Sequence, residues 1–311
     1  MYPLTGNVAV LGSYNTGFVV YVGRLPFKGE TVIGHGFRVE HGGKGSNQAI
    51  QAARLGCRTE IVARLGKDMF AERALKKWRE EGVDTRYVVY DEARSTGVGF
   101  VIVGPAGHNM IVVDLGANMA LSLEDVERAA DVIKDSDVVL AQLEIPYNTA
   151  VHGLKLSDGV RILNPAPASP IKPEDLTDID IITPNEVELL VMAGAAGDRS
   201  AVIRTLAEKY AGYVDHVVVT LGEKGALVVS DGKAKHIRTP KVDAVDTTGA
   251  GDAFNGALAT YLAKGFDVVD AVQRACYCGA FLAARVKGGE LIESLPTERE
   301  LEKFISEHEV D

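Results

Sequence analysis

Val245-Asp246-Thr247-Thr248-Gly249-Ala250-Gly251-Asp252-Ala253-Phe254-Asn255-Gly256 is a polar, glycine-rich turn that runs into an amphipathic stripe of Phe254, Ala257, Leu258, Tyr261 and Leu262. That transition marks the start of a helix. The first amides of a helix have no acceptor within it, and glycine lets another group approach them closely. The amides of Gly249, Ala250 and Gly251 are therefore free to hold an anion, aided by roughly half a positive charge from the helix dipole. Asp252 stands in the first turn, beside that position. A carboxylate repels phosphate, so its fitting task is to take the proton of a hydroxyl that attacks one. A structural glycine turn followed by an N-terminal carboxylate has the same local pattern.

Outward from this run, residues 8–11, 61–65, 138–143, 160–163, 179–182 and 216–221 are short apolar stretches, typical of parallel strands buried on both faces. Helical patterns lie between most of them. One spans 45–55 and stops at Gly56. Another carries Phe70, Ala74, Leu75 and Trp78 and closes at Gly82, and a third runs from Ser122, a good N-cap, through Ile133. The alternation predicts one α/β domain over residues 1–311, with a doubly wound, mostly parallel sheet and helices on both faces. Two β-rich inserts, at 14–41 and 95–115, do not fit that sheet. The second reads as a hairpin turning at Gly104-Pro105-Ala106-Gly107. Together they are expected to form a small β-sheet lid. Ligands in open α/β sheets sit at the carboxyl ends of the strands. Glu144, Asn164, Asn185, Thr220 and Gly222 follow such strands here.

Composition narrows the function classes. With 46% hydrophobic and 24% charged residues the chain is ordinary globular material, and a net charge of −10 opposes general binding to nucleic acid or an anionic membrane. Cys57, Cys276 and Cys278 form no disulfide framework, and the last two sit in an apolar helical stretch as buried thiols. The N-terminal residues have no basic leader, and no stretch approaches the roughly 20 apolar residues that cross a bilayer. A cytoplasmic protein is expected. A Walker A loop is excluded, since Arg38 and Gly45 stand where it needs Gly and Ser or Thr around Gly43-Lys44. No dinucleotide fingerprint follows the first strand, and no zinc spacing occurs.

A second run, His41-Gly42-Gly43-Lys44-Gly45-Ser46-Asn47-Gln48-Ala49, also places glycines before a helix. Its amides and Asn47 suit a polyol, whose hydroxyls donate and accept in fixed directions. Lys44 meets a phosphate or braces the loop. A plain strand-to-helix turn fits the same letters.

Taken together, the two runs resemble the paired signatures of the ribokinase (PfkB-type) carbohydrate kinase family. The likeness extends through Asn15, Gly29-Glu30-Thr31, Ser95-Thr96-Gly97, Gly116-Ala117-Asn118, Leu143-Glu144, Asn164-Pro165-Ala166-Pro167, Thr183-Pro184-Asn185-Glu186 and Thr220-Leu221-Gly222. The resemblance implies transfer of a phosphoryl group from ATP to a sugar hydroxyl, foremost D-ribose to ribose 5-phosphate. It implies that Asp252 is the general base and that Gly249, Ala250 and Gly251 form the anion hole. Asn15, Gly42, Gly43, Lys44, Asn47 and Glu144 match sugar-site positions, while Asn185, Thr220, Gly222 and Gly251 match nucleotide-site positions. Glu186 or Glu188 would organise Mg²⁺ through water, and Asp246 and Thr248 would belong to a K⁺ site. The β inserts match a lid that also joins two copies as a homodimer.

Two departures bear on substrate and cation. The family's sugar sites carry an Asp two residues after the matching Asn, where this chain has Gly17. That substitution favours the alternative of another sugar, a polyol or a nucleoside as acceptor, with Tyr14, Phe18 and Phe100 as candidate cover for a base. The stretch from Lys287 to Pro296 is longer than the family's link at its monovalent-cation site. A catalytically silent sugar-binding regulator would show a damaged base or anion hole, and both are intact.

Overall fold

The computed structural model describes residues 5–105, 108–195, 199–285 and 290–308. The chain opens with strands β1 (Asn7–Leu11), β2 (Asn15–Val22) and β3 (Gly34–Gly42), then helix α1 (Lys44–Arg54). Next come β4 (Arg58–Gly66), α2 (Met69–Glu80), β5 (Val83–Asp91), β6 (Gly97–Val103) and β7 (Asn109–Asp114). The middle contains α3 (Leu123–Glu127), α4 (Ala130–Asp135), β8 (Val138–Gln142), α5 (Tyr147–Lys155), β9 (Val160–Asn164) and β10 (Ile181–Ile182). It continues through α6 (Glu186–Met192), α7 (Arg199–Tyr210) and β11 (His216–Thr220) to the hairpin β12 (Ala226–Ser230) and β13 (Lys233–Ile237). The chain closes with α8 (Ala250–Ala263), α9 (Val268–Ala284), α10 (Leu291–Ser294) and α11 (Glu298–Glu307).

Nine strands form the main sheet in the order β13-β12-β11-β10-β9-β8-β1-β4-β5. From β5 to β11 all neighbours are parallel; the β12–β13 hairpin extends one edge antiparallel. The pleat divides the core between two faces. Val8 and Val10 of β1 join Leu140 and Ile162 in a cluster with α1, α2, α8 and α9. Ala9 and Leu11 point the other way, with Val139 and Leu163, into a cluster with α3 to α7. This is the doubly wound arrangement. The edge strands β5 and β13 are half exposed and so lack the continuous apolar signature of the inner ones. Among the described residues no helix is long and apolar enough to cross a membrane.

The helix expected from Ser122 through Ile133 is two helices, interrupted at Arg128-Ala129, and Val126 and Ile133 are both buried. Ser122 does cap the first: its hydroxyl accepts from Asp125 N, and the Asp125 carboxylate accepts from Ser122 N.

A second sheet has the order β3-β2-β6-β7, with β2 and β6 parallel and the outer pairs antiparallel. It is built from both β-rich inserts. Gly12-Ser13-Tyr14 leads directly from β1 into β2, so this sheet rises from the carboxyl end of the main one. Every residue of β7 is exposed. Ala106 and Gly107, in the expected turn of the β6–β7 hairpin, lie outside the described residues, as do Lys287, Gly288 and Gly289.

Candidate functional site

The two glycine-rich runs meet in space because each starts a helix in the core. Gly43 precedes α1 with φ 93°, and a Cβ there would lie 2.7 Å from Tyr14 Cα. Gly249 precedes α8 with φ 77°, and a Cβ there would lie 2.4 Å from a Leu291 methyl. Only glycine meets both demands, on the backbone and on the space. Neither helix has a side-chain cap from its own N-cap residue; the first amides of α1 instead donate to Glu144 (Lys44 N, 2.9 Å), Ser13 Oγ (Gly45 N, 3.2 Å) and Ser13 O (Ser46 N, 2.8 Å), and at α8 Ala250 N donates to Thr247 O at 3.1 Å.

Helix α1 is buried from Gly45 to Ala52 and α8 from Asp252 to Tyr261, so their polar side chains must find partners in the interior. They find each other. Asn47 Nδ2 donates to Asp252 Oδ2 at 2.8 Å, and Gln48 Nε2 donates to Asp252 Oδ1 at 3.0 Å. Gln48 Nε2 also donates to Asn164 Oδ1 at 3.1 Å, and Gln48 Oε1 accepts from Gln142 at 2.7 Å. Asn255 ties the first turn of α8 to the strand end, accepting from Thr183 Oγ1 at 2.6 Å and donating to Gly251 O at 2.8 Å. Asp252 is thus a fixed carboxylate, 8% exposed, with an amide donor on each oxygen. Asn47 Oδ1 is buried and has no hydrogen-bond partner among the described residues.

On one side of Asp252 stands a group suited to a polyol. Glu144 accepts from Ser13 Oγ, from Lys44 N at 2.9 Å and from Asn15 Nδ2 at 3.3 Å. Asn118 holds Asn15 by donating to its Oδ1 at 3.0 Å. Burial disfavours the Lys44 ammonium, but Asp252, Glu144 and Glu188 outweigh it and raise its pKa above the ordinary lysine value. The Glu188 carboxyl is pushed up by burial and by Asp252, against the pull of Lys44. One cation and three carboxylates therefore share a field.

Gly17 lies on the same face of β2 as Asn15, two residues along. A Cβ there would make only ordinary contacts, 3.7 Å from Glu40. The candidate base-covering aromatics do not line this face. Tyr14 is fully buried against Trp78 and His41, and Phe18 and Phe100 stack together on the opposite face of the small sheet. The His41 ring also turns away, with Nδ1 2.7 Å from the Tyr14 hydroxyl.

On the other side of Asp252 is a cleft of about 770 Å³. Asn185, Glu186, Thr220 and Gly222 line one wall, with Ala250 and Gly251 at the helix start and Phe254, Cys276 and Gly279 along the floor. Its apolar floor suits a flat ring, and its amide-rich end suits phosphates. No Cβ-range atom crowds Gly251 or Gly222. Asn185 caps α6, accepting from Glu188 N at 2.8 Å while its own N donates to Glu188 Oε2 at 2.8 Å. Cys276 and Cys278 are buried free thiols, and burial pushes Cys276 up to about 12, so neither is poised for metal or redox chemistry.

Among the described residues no cluster of three or more His, Cys, Asp or Glu side chains is arranged to hold a metal ion. Mg²⁺ bound to nucleotide commonly needs only one or two carboxylates, water and phosphate oxygens. Glu186 on the cleft wall and Glu188, with Oε2 in the cap, fit that requirement. Asp246 Oδ1 accepts from Thr248 N at 2.8 Å, so these two oxygen-bearing residues are together. The neighbouring 286–289 segment lies outside the described residues.

Gln48, Gln142, Ser13 and Asn255 are the site residues that motif spacing did not single out. Their common feature is a polar side chain buried in the interior: Gln48 and Asn255 within helices, Gln142 at the end of β8 and Ser13 in the link after β1.

A family model described as pfkB family carbohydrate kinase matches residues 5–295. A deoxyribokinase of Salmonella typhi is 34% identical over 313 aligned residues, covering 97% of this chain and all of that protein. A ribokinase of Mus musculus is 39% identical over 263 residues, covering 82% of this chain and 81% of its own. Among solved structures, an Arabidopsis thaliana ribokinase complexed with ribose and ATP superposes with a TM-score of 0.86 at 31% identity, covering 97% of this chain and 99% of that one.

Proposed function

The chain belongs to the pfkB family of carbohydrate kinases, and from that premise we propose that it phosphorylates the terminal hydroxyl of a pentose with ATP, D-ribose to ribose 5-phosphate. The observation that carries this reading is the Asp252 carboxylate, held by Asn47 and Gln48 between the polyol-suited group and the cleft. ATP would occupy the cleft with its γ-phosphate toward the amides of Gly249, Ala250 and Gly251. The sugar would lie against Asn15, Gly42, Gly43, Lys44, Asn47 and Glu144. Asn47 Oδ1 then has a hydroxyl to accept from.

In the transfer, Asp252 takes the proton of the attacking hydroxyl, the new O–P bond forms, and the bond to the ADP oxygen breaks. Little covalent work falls to the protein. Positioning and charge stabilisation dominate, and the preset amides need no reorganisation as charge develops. When bound, Mg²⁺ neutralises phosphate charge; Glu186 and Glu188 would hold it through water. Asp246 and Thr248 would hold K⁺.

The small sheet would act as a lid that keeps water from the phosphoryl group. Its exposed apolar residues, Phe100, Ile111, Val112 and Val113 among them, support a homodimer in which two small sheets cover each other. A cytoplasmic location is part of this proposal. A second reading, phosphorylation of another sugar or a polyol, is favoured by Gly17. A nucleoside is disfavoured by the turned-away aromatics.

A coupled assay of ADP formation, run with ATP and Mg²⁺ across ribose, 2-deoxyribose, other pentoses, hexoses and nucleosides, tests the proposal. Ribose-dependent ADP release supports it. A hexose or nucleoside as the preferred acceptor would replace the substrate, and no acceptor-dependent turnover would remove the activity.

A further inference from the structure

Around Asn15 the face of the small sheet that carries it is nearly bare of side chains. Strand pairing sets Glu40, Gly17, Gly99 and Val113 in one transverse row, and Gly42, Asn15 and Gly97 in the next. Residues opposite one another across a sheet project from the same face. The glycines therefore form a shallow trough beside Asn15, and Glu40 is the carboxylate that borders it. A Cβ added at Gly17 would sit 3.7 Å from Glu40 Cβ, so any side chain at 17 would take up the space above the trough into which Glu40 can extend. Arg38, two residues along the same strand, lies on the same face with Nε 3.2 Å from Glu40 Oε1. Its guanidinium rests 5.3 Å over the Tyr21 ring, which anchors the pair at the rim. The Glu40 side chain is 18% exposed, shielded enough for a hydrogen bond to count.

We infer that Glu40 is a specificity-determining residue, whose carboxylate reaches over Gly17 to receive two adjacent hydroxyls of a sugar lying in the trough. This deepens the sugar-kinase reading and rests on it. The carboxylate comes from β3, where Gly17 leaves none on β2. A carboxylate accepting from two hydroxyls makes charge-assisted bonds, the strong kind, and a sugar lacking one of those hydroxyls forfeits a bond.

The test compares kcat/KM for ribose and 2-deoxyribose in the full-length protein and its variants, with melting temperatures to confirm folding. Wild type should favour ribose, and Glu40→Gln, which keeps shape and loses charge, should cut ribose efficiency at least about tenfold while affecting 2-deoxyribose much less. Arg38→Gln removes the ion pair but not the carboxylate and should keep most of the discrimination. Combining Glu40→Ala with Gly17→Asp returns a carboxylate to the same face and should restore part of it. Equal losses for both sugars in Glu40→Gln, no change in the ratio, a wild-type preference for 2-deoxyribose, or the same collapse in Arg38→Gln would each overturn the inference while leaving a working sugar kinase. Absence of any acceptor-dependent turnover in wild type would overturn the sugar-kinase reading and this inference with it.

Discussion

Asn47 Nδ2 lies 2.8 Å from Asp252 Oδ2 and joins two helices whose contacting residues are 205 positions apart in the chain. Each helix brings its own glycine-led start, so this one bond sets the polyol-suited loop and the anion-suited loop on either side of a single carboxylate.

Asp252→Asn keeps the shape and removes the proposed proton acceptor. Turnover should fall about 10²- to 10⁴-fold while ATP affinity, measured calorimetrically, stays near wild type. A variant that retains near-normal turnover would show that another group takes the proton.

Gln48→Leu removes the donor to Asp252 Oδ1 and to Asn164 without opening a large void. As a positioning residue, Gln48 should affect kcat more than substrate binding. A drop of about ten- to a hundredfold in kcat with an unmoved KM for ATP is expected, on the scale of one or two charge-assisted hydrogen bonds. An equal rise in KM and no change in kcat would point to a purely structural part.

Gly249→Ala places a Cβ on a left-handed residue and drives it against Leu291. The backbone cost alone is about 1–2 kcal/mol. Urea unfolding should show at least that loss, and kcat should fall if the proposed anion hole is formed by the amides this change shifts. Full activity at wild-type stability would mean that the turn tolerates rearrangement.

Burial, with smaller contributions from Arg73 and Lys77, pushes His41 down to about 4. In the unfolded chain an ordinary histidine titrates near 6.5, so between those values the unfolded state binds more protons than the folded one. Stability from keeping His41 neutral is therefore complete above about pH 6.5 and lost as pH falls toward 4. Wild type should lose up to about 2 kcal/mol between pH 6.5 and 5 through this group, and His41→Gln should flatten that part of the profile. Parallel profiles for the two proteins would assign the acid sensitivity elsewhere.

Ile111→Glu with Val112→Glu charges both faces of the exposed strand β7. Sedimentation should show wild type at twice the chain mass and the variant at one. A wild-type monomer, or a variant that remains dimeric, would rule out the small sheet as the joining surface.

Much of the fold was legible in the letters because buried parallel strands read as short apolar runs, and α1 and α8 announce themselves by glycines before a helical period. The inserts were legible by contrast, since β-branched residues without a helical period cannot continue the alternation. The edge strands were not, because half-exposed positions mix polar and apolar residues without pattern. The broken helix after Ser122 was not legible either, since apolar spacing continues across the interruption.

For the site, the sequence by itself determined the chemistry on offer: two glycine-led helix starts, one with a carboxylate in its first turn, and polar residues after buried strands. These are local properties, fixed by backbone freedom and helix ends. Only the tertiary structure decided which of them act together. It brought Gln48 to Asp252 and Thr183 to Asn255, turned His41 and Phe18 away, and set Glu40 directly across from Gly17. Such pairings depend on strand register and helix contact between residues far apart in the chain, and no local pattern of letters encodes them.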